Sequence, residues 1–159
     1  MINNKNIFTM ENLDEITIYQ PISTNKDKTK FVKPTDKLIL AIDFDGTIVT
    51  DDFPNINEFM PGALESLKEL QSYGVKLILW TCRNDKFLTD AVEFLSKNGI
   101  VCEKYNENSS LLKFETSNKI YGDYYLDDRS FPGFPGWNTF MNEFRKSYNI
   151  KKRNITNHE

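Results

Sequence analysis

Two aspartates separated by a single residue follow an unbroken apolar run. Residues 38–42, all five of them apolar, lead directly into Asp43 and Asp45, and a Gly-Thr pair comes next. A run of this length is typical of a strand that is covered on both faces of a parallel sheet. Two carboxylates this close repel each other unless a positive group binds between them. The stretch therefore predicts a cation-binding site at the end of a buried strand.

Polar residues also end two of the other apolar stretches. The run at 75–80 stops at Thr81, and the run at 124–126 stops at Asp127 and Asp128. The carboxyl ends of parallel strands meet along one edge of a sheet. We therefore expect these side chains to converge on one crevice with the first aspartate pair.

Four carboxylates in one crevice require a hard cation. Oxygen-only ligation favours Mg²⁺ over zinc, and the single histidine, His158, stands next to the C-terminus and is given no role. Lys119, just before the last strand, is placed to supply a second positive charge. Magnesium and a lysine around carboxylates suit a phosphoryl group, whose oxygens need neutralising during transfer.

The elements that must position these residues alternate along the chain. Besides the three strands above, a fourth is predicted at 100–102, third in chain order. Helices are predicted from Pro61 to Gly74, from Asn84 or Asp85 to Gly99, over part of 109–118, and from Trp137 to Tyr148. The aromatic stripe of the last helix is interpreted as core packing. The alternation predicts an α/β fold, a single-domain Rossmann-like, doubly wound parallel sheet.

The spacing also predicts the domain organisation. Residues 38–150 form the catalytic domain, 1–37 an N-terminal extension that is either a peripheral hairpin or a flexible arm, and 151–159 a C-terminal tail. The intervals between the polar strand ends are used up by one helix and one strand each, so no cap domain fits. Residues 48–60 are expected to form a short flap over an open crevice.

Composition and charge exclude several classes of protein. The net charge of −3 and the pI near 5.3 disfavour non-specific nucleic-acid binding. Two cysteines, Cys82 and Cys102, make no disulfide framework and are expected to be buried apolar side chains. No apolar run approaches the roughly 20 residues of a membrane span, and no signal peptide is seen. We expect a soluble, cytoplasmic protein.

The motifs together resemble those of a known superfamily. The DFDGT sequence at 43–47, after a hydrophobic strand, is similar to the first motif of the haloacid dehalogenase (HAD) superfamily of aspartate-nucleophile phosphatases. The other three motifs are matched in the family's order, by Thr81, Lys119 and Asp127-Asp128. The resemblance covers roughly residues 38–145, and the order of the motifs makes it specific. The chain looks like the small, capless members with a Tyr-Leu-Asp-Asp-Arg fourth motif.

The resemblance implies a Mg²⁺-dependent phosphomonoester hydrolase that works through an aspartyl-phosphate. Asp43 would be the nucleophile. Asp45 would protonate the leaving oxygen and then deprotonate the hydrolytic water. Thr81 would hydrogen-bond a phosphoryl oxygen, and Lys119 would hold the nucleophile and neutralise charge.

The same resemblance implies a metal site and a substrate-contacting rim. The metal ligands would be the Asp43 carboxylate, the Asp45 backbone carbonyl and Asp127, with Asp128 as a further candidate. The predicted substrate-contacting residues flank the first two motifs and are Gly46, Thr47, Cys82 and Arg83.

Three assignments have alternatives. A GDxxxD form of the fourth motif would make Asp123 a ligand, but it stands at the wrong end of the predicted strand. Lys113 competes with Lys119 as the third-motif lysine. For Arg83, a structural ion pair is the commoner alternative to a substrate clamp.

The leaving group is not encoded in the sequence. An open site admits a large phosphorylated substrate, such as a phosphoprotein or a polymer end, so nucleic acid is expected only as a phosphorylated end. An oligomer could supply the missing lid. The rival from another class is a phospho-acceptor signalling domain of the response-regulator type; a silent binding module is a third. Phosphotransferase, polynucleotide-end phosphatase, phosphonatase and dehalogenase activities are alternatives within the enzymes.

Overall fold

A computed structural model describes residues 34–150 of the chain. After a short 3₁₀ turn, Thr35–Lys37, four strands and three helices follow in this part. The strands are β1 (Ile39–Ile42), β2 (Lys76–Leu79), β3 (Lys104–Tyr105) and β4 (Tyr124–Leu126), and the helices are α1 (Ala63–Ser72), α2 (Asp85–Lys97) and α3 (Trp137–Ser147). Three of the four predicted strand positions, and three of the four predicted helices, are confirmed.

The four strands form one parallel sheet in the order β3-β2-β1-β4. In the register of the two central pairs, Ile42 lies opposite both Leu79 and Leu126. The residues that follow these three positions therefore leave the sheet side by side at its carboxyl edge. The protein has the α/β, Rossmann-like fold in a single domain that the sequence predicts.

One face of the sheet is covered by all three helices. Successive side chains of a strand point to opposite faces of the sheet, and in β1 those of Leu40 and Ile42 point to this face. There they join a core cluster that contains residues of each helix. The apolar stripe of α3, with Trp137, Met141 and Phe144 buried, packs here, which confirms its interpretation as core. This face anchors β1 and so fixes the strand from which the aspartate pair emerges.

Within residues 34–150, the other face of the sheet is covered without a helix. Ile39, Ala41 and Ile78 pack against Ile120 and the partly buried side chains of the segment 106–123. The helix predicted within 109–118 is wrong, because polar side chains there bind the backbone in non-helical arrangements. The Ser109 hydroxyl accepts from the Leu111 amide, and the Asn108 side chain bonds the Tyr121 amide and the Thr116 hydroxyl.

The third strand lies further along the chain than predicted. Residues 100–102 are not in the sheet; β3 pairs Lys104 and Tyr105 with Ile78 and Leu79 instead. Ile100 and Cys102 are buried below the start of this strand, so their apolar character marks the approach to an edge strand rather than the strand itself. Burial of Cys102 is as predicted and raises the pKa of its thiol to about 12.

The predicted domain organisation is only partly covered by the structure. Most of the N-terminal extension and the tail at 151–159 lie outside the described residues. Within 34–150 no second domain is inserted, and the loop between β1 and α1 has two isolated bridges, one joining Asp45 to Val49 and one joining Val49 to Phe59. No helix in the described part is long and apolar enough to span a bilayer.

Candidate active site

Three carboxylates meet where β1 and β4 leave the sheet. The Asp43 amide donates to the Leu126 carbonyl at 2.9 Å, which extends the β1–β4 pairing by one step beyond the strands. Asp43 is thereby placed beside Asp127 and Asp128, and carboxylate oxygens of the three lie within 4.8 Å of one another. All three side chains are partly buried. These three residues are called the carboxylate cluster below.

Thr47 forms hydrogen bonds to both Asp43 and Asp128 and so connects the two loops that carry the carboxylate cluster. Its hydroxyl oxygen accepts from the Asp128 amide at 2.9 Å and lies 3.4 Å from Asp43 Oδ2. Its carbonyl accepts from the Trp137 indole N–H at 2.8 Å, so the first residue of α3 holds the turn that contains Thr47. Thr47 is fully buried and cannot contact substrate, so the prediction that it does is wrong. Its role is to position the aspartates.

Gly46 allows the loop after β1 to approach the loop after β4 closely. Its φ of +79° is in the left-handed region, and a Cβ at this position would lie 2.6 Å from Asp128 Oδ2. A side chain here would therefore collide with the carboxylate cluster. This close approach requires glycine at position 46. The glycine of the DxDGT motif therefore has a structural role here, whereas the sequence predicted that it contacts substrate.

The carboxylate cluster carries uncompensated negative charge. Burial, together with repulsion from Asp127, Asp128 and Asp45, raises the pKa of Asp43 to about 7, although the Phe44 amide hydrogen bond acts in the opposite direction. Among residues 34–150, no lysine or arginine forms an ion pair with the three carboxylates. Three clustered oxygen donors without a counter-charge fit a hard divalent cation such as Mg²⁺.

The raised pKa of Asp43 predicts a pH-dependent effect of Mg²⁺ on stability. Without metal, the folded protein keeps a proton that the unfolded chain loses, so its stability falls as the pH rises from 3.8 through about 7. Mg²⁺ binds the ionised carboxylate, so the rise in melting temperature that it causes should be larger at about pH 8 than at about pH 6. Melting curves with Mg²⁺ or EDTA measure this; a rise independent of pH would contradict the assignment.

The carboxylate of Asp45 forms a salt bridge with Arg83. Its two carboxylate oxygens accept from Nη2 and Nε of Arg83, at 2.6 and 2.8 Å. The Arg83 side chain is 1% exposed and that of Asp45 19%. Arg83, one of the residues predicted to bind substrate, is thus a buried ion-pair partner of the predicted acid/base residue. The two aspartates of the DxD pair have separate surroundings, one a carboxylate cluster and the other a salt bridge.

Thr81 is held at the end of β2 by Asn106. The Asn106 side chain accepts from the Thr81 amide at 2.8 Å and donates to the Thr81 carbonyl at 2.9 Å. The Thr81 hydroxyl oxygen accepts from the Arg83 amide at 3.1 Å. Within the described part of the chain its own hydrogen has no acceptor, so it is available to a bound group. From the sequence, the position of Asn106 on a strand-end loop is compatible with a contact to substrate or with a turn, and it does not predict this bond to Thr81.

In the described region, neither candidate lysine forms a hydrogen bond or an ion pair with the carboxylate cluster. Lys119 is exposed, with its ammonium 6.0 Å from the centroid of the Tyr125 ring, and it makes no ion pair in the described region. Lys113 is exposed as well. Asp123 lies at the opposite end of the sheet, where its carboxylate accepts from the Ile39 amide. Cys82 is exposed, unlike the burial predicted for it.

A solved structure from Bacteroides thetaiotaomicron is similar to this chain in both fold and sequence. It is described as a conserved protein coded by a locus of that organism, with 32% identity, a TM-score of 0.64, and coverage of 73% of this chain and 98% of that one. The chain belongs to the family of that conserved protein. No protein-family model and no curated protein matches the chain. The description of that protein names no activity.

Proposed function

We propose that this protein is a Mg²⁺-dependent phosphomonoester hydrolase of the HAD type, acting through an aspartyl-phosphate on Asp43. One observation carries the proposal. Asp43 lies in a carboxylate cluster fit for a cation, with Asp127 and Asp128, while Asp45 is held separately by Arg83. A nucleophile beside a metal site and an independent acid/base are the two parts that this chemistry needs.

The carboxylate cluster would hold the cation through Asp43, Asp127 and Asp128. Bound there, Mg²⁺ would supply positive charge that neutralises the phosphoryl oxygens and the repelling carboxylates. The raised pKa of Asp43 supports this assignment, because removing the repulsion keeps the nucleophile ionised at neutral pH.

Asp43 and Asp45 would divide the covalent steps between them. In the first step an Asp43 carboxylate oxygen forms a bond to phosphorus, the bond from phosphorus to the leaving oxygen breaks, and Asp45 gives that oxygen a proton. In the second step Asp45 takes a proton from water. The water oxygen bonds to phosphorus, and the bond to Asp43 breaks, which releases phosphate and the free enzyme.

Thr81 and Lys119 would contact the phosphoryl group itself. The free hydroxyl hydrogen of Thr81, on a residue fixed by Asn106, is suited to donate to a phosphoryl oxygen. The Lys119 ammonium is not in contact with Asp43, so its proposed role requires its exposed side chain to turn toward a bound phosphate. Long lysine side chains rotate readily when no ion pair holds them.

The proposal predicts phosphate release that depends strictly on a divalent cation. Wild-type protein should hydrolyse p-nitrophenyl phosphate with Mg²⁺ and lose at least about 100-fold of its rate in EDTA, because neither the nucleophile nor the phosphoryl oxygens are then neutralised. Restoring Mg²⁺ should restore the rate. Turnover that is unaffected by EDTA, or no turnover with Mg²⁺ in a folded protein, would overturn the proposal.

A further inference from the structure

We infer that Arg83 is a positioning residue that fixes the Asp45 carboxylate and the loop at 53–55 in one arrangement. The inference rests on the proposed function for the role of Asp45, and it replaces the expected contact between Arg83 and substrate. The group formed by Arg83, Asp45 and the carbonyls of Pro54 and Asn55 is called the arginine clamp.

The first half of the arginine clamp orients Asp45. Two parallel hydrogen bonds, from Nε and Nη2 of Arg83, meet the two oxygens of the carboxylate and fix its plane. The guanidinium lies 5.0 Å from the centroid of the Phe44 ring, which belongs to the core. Because the arginine is buried and stacked, the carboxylate has little freedom to rotate.

The second half attaches the loop. Nη1 of Arg83 donates to the Pro54 carbonyl at 3.1 Å and Nη2 donates to the Asn55 carbonyl at 2.8 Å. The guanidinium also lies 5.1 Å from the centroid of the Phe53 ring. The loop's own contacts in this stretch include a hydrogen bond from the Asn55 amide to Asp52. Movement of the loop and of Asp45 is therefore coupled through one side chain.

The hydrogen bonds that Arg83 makes within the protein leave few of its N–H donors for a ligand. A guanidinium has five N–H donors, and four protein bonds come from Nε, Nη1 and Nη2. The side chain is also almost completely buried. One N–H, on Nη1, remains, so a forked contact with phosphate would have to break the salt bridge to the acid/base residue. The geometry instead favours action through Asp45.

A double-mutant cycle tests this action. Arg83→Lys keeps the charge but loses the fork, so kcat for p-nitrophenyl phosphate should fall about 10- to 100-fold, the usual effect of a misplaced catalytic group. In an Asp45→Asn background the same change should alter the residual rate by less than about twofold, because there is no acid/base left to position. Equal losses in both backgrounds would overturn the inference.

Inhibition by inorganic phosphate distinguishes positioning from binding. If Arg83 acts through Asp45, the inhibition constant should stay within about twofold in Arg83→Lys, and KM should change little. A clear rise in both, with kcat unchanged, would mean that Arg83 binds the phosphoryl group. Wild type without any Mg²⁺-dependent turnover would instead overturn the proposed function, so the two failures differ.

Arg145 provides a matched control. It forms a similar forked pair with Glu69 between α3 and α1, away from the carboxylate cluster. Arg145→Lys should lower the melting temperature without lowering kcat. Amide hydrogen exchange gives a readout independent of activity: Arg83→Lys should speed exchange at 53–58 at least about tenfold, and Arg145→Lys should not. Unchanged exchange in Arg83→Lys would contradict the coupling to the loop.

Discussion

Asp43→Asn should abolish Mg²⁺-dependent phosphate release and at the same time stabilise the metal-free protein. An amide oxygen cannot replace the carboxylate nucleophile, so a loss of at least about a thousandfold in kcat is expected. The fold should gain stability because the variant removes the charge that burial and the neighbouring aspartates disfavour. Initial rates with Mg²⁺ and melting curves in EDTA, near neutral pH, measure the two effects.

The opposite signs of these effects make the prediction specific to a functional residue. Asp90→Asn is a matched control, since Asp90 is on α2 and its one ion pair among residues 34–150 is with Lys86 at the surface. It should leave the rate and the melting temperature nearly unchanged. Retention of most Mg²⁺-dependent activity in Asp43→Asn would contradict the nucleophile assignment. A lower melting temperature in EDTA would contradict the electrostatic account of the carboxylate cluster.

Gly46→Ala should have the second-largest effect, through the position of Asp128. The new Cβ would lie 2.6 Å from Asp128 Oδ2, closer than real contacts allow, so the carboxylate or the turn has to shift. Displacing one of three clustered oxygen donors should weaken Mg²⁺ binding and lower kcat by about 100-fold. The rate as a function of Mg²⁺ concentration measures both, and the concentration for half-maximal activity should rise.

Gly99→Ala separates this collision from backbone strain. Gly99 has nearly the same φ, +78°, but its nearest atom to a new Cβ is Lys68 Cε at 3.7 Å, an ordinary contact. Both variants pay the conformational penalty of alanine at positive φ, roughly 1 kcal/mol. Only Gly46→Ala should change the Mg²⁺ dependence. Equal Mg²⁺ dependence in the two variants would contradict the close approach to Asp128.

The sequence predicted the convergence of the site because strand ends are easy to recognise. Buried parallel strands have continuous apolar runs, and Asp43, Thr81 and Asp127 each follow such a run. Right-handed crossovers between parallel strands then bring these strand ends to the same edge of the sheet. The structure accordingly shows Asp43 beside Asp127 and Asp128, as expected from their places along the chain.

Contacts between side chains and distant backbone could not be predicted in the same way. Asn106 fixes Thr81 across 25 positions, and Trp137 reaches the Thr47 carbonyl across 90. Neither pairing leaves a periodic signal. For Arg83, a structural ion pair was the commoner of two alternatives, but its partner Asp45, 38 positions away, could not be named, because an arginine next to a motif can bind either a carboxylate or a phosphate.

The edge strand and the loop at 109–118 differ from the predictions for a physical reason. The strand β3 has only two residues, so its apolar neighbours at 100–102 gave a stronger signal than the strand itself. In 109–118, the apolar residues Leu111, Leu112 and Phe114 suggested a short helix, but Ser109 and Ser110 bind the Glu103 carboxylate instead. Local side-chain hydrogen bonds override weak helix propensity in such segments.

The most direct test of the proposed function is to locate the phosphoryl group on the protein. Asp45→Asn should still be phosphorylated by p-nitrophenyl phosphate with Mg²⁺, because the p-nitrophenolate leaving group needs no proton, but it should hydrolyse the intermediate slowly. After acid quench and proteolysis, mass spectrometry should find the phosphoryl group on Asp43, and none in EDTA. A phosphoryl group on another residue, or none on Asp43 while the wild type turns over, would contradict the account.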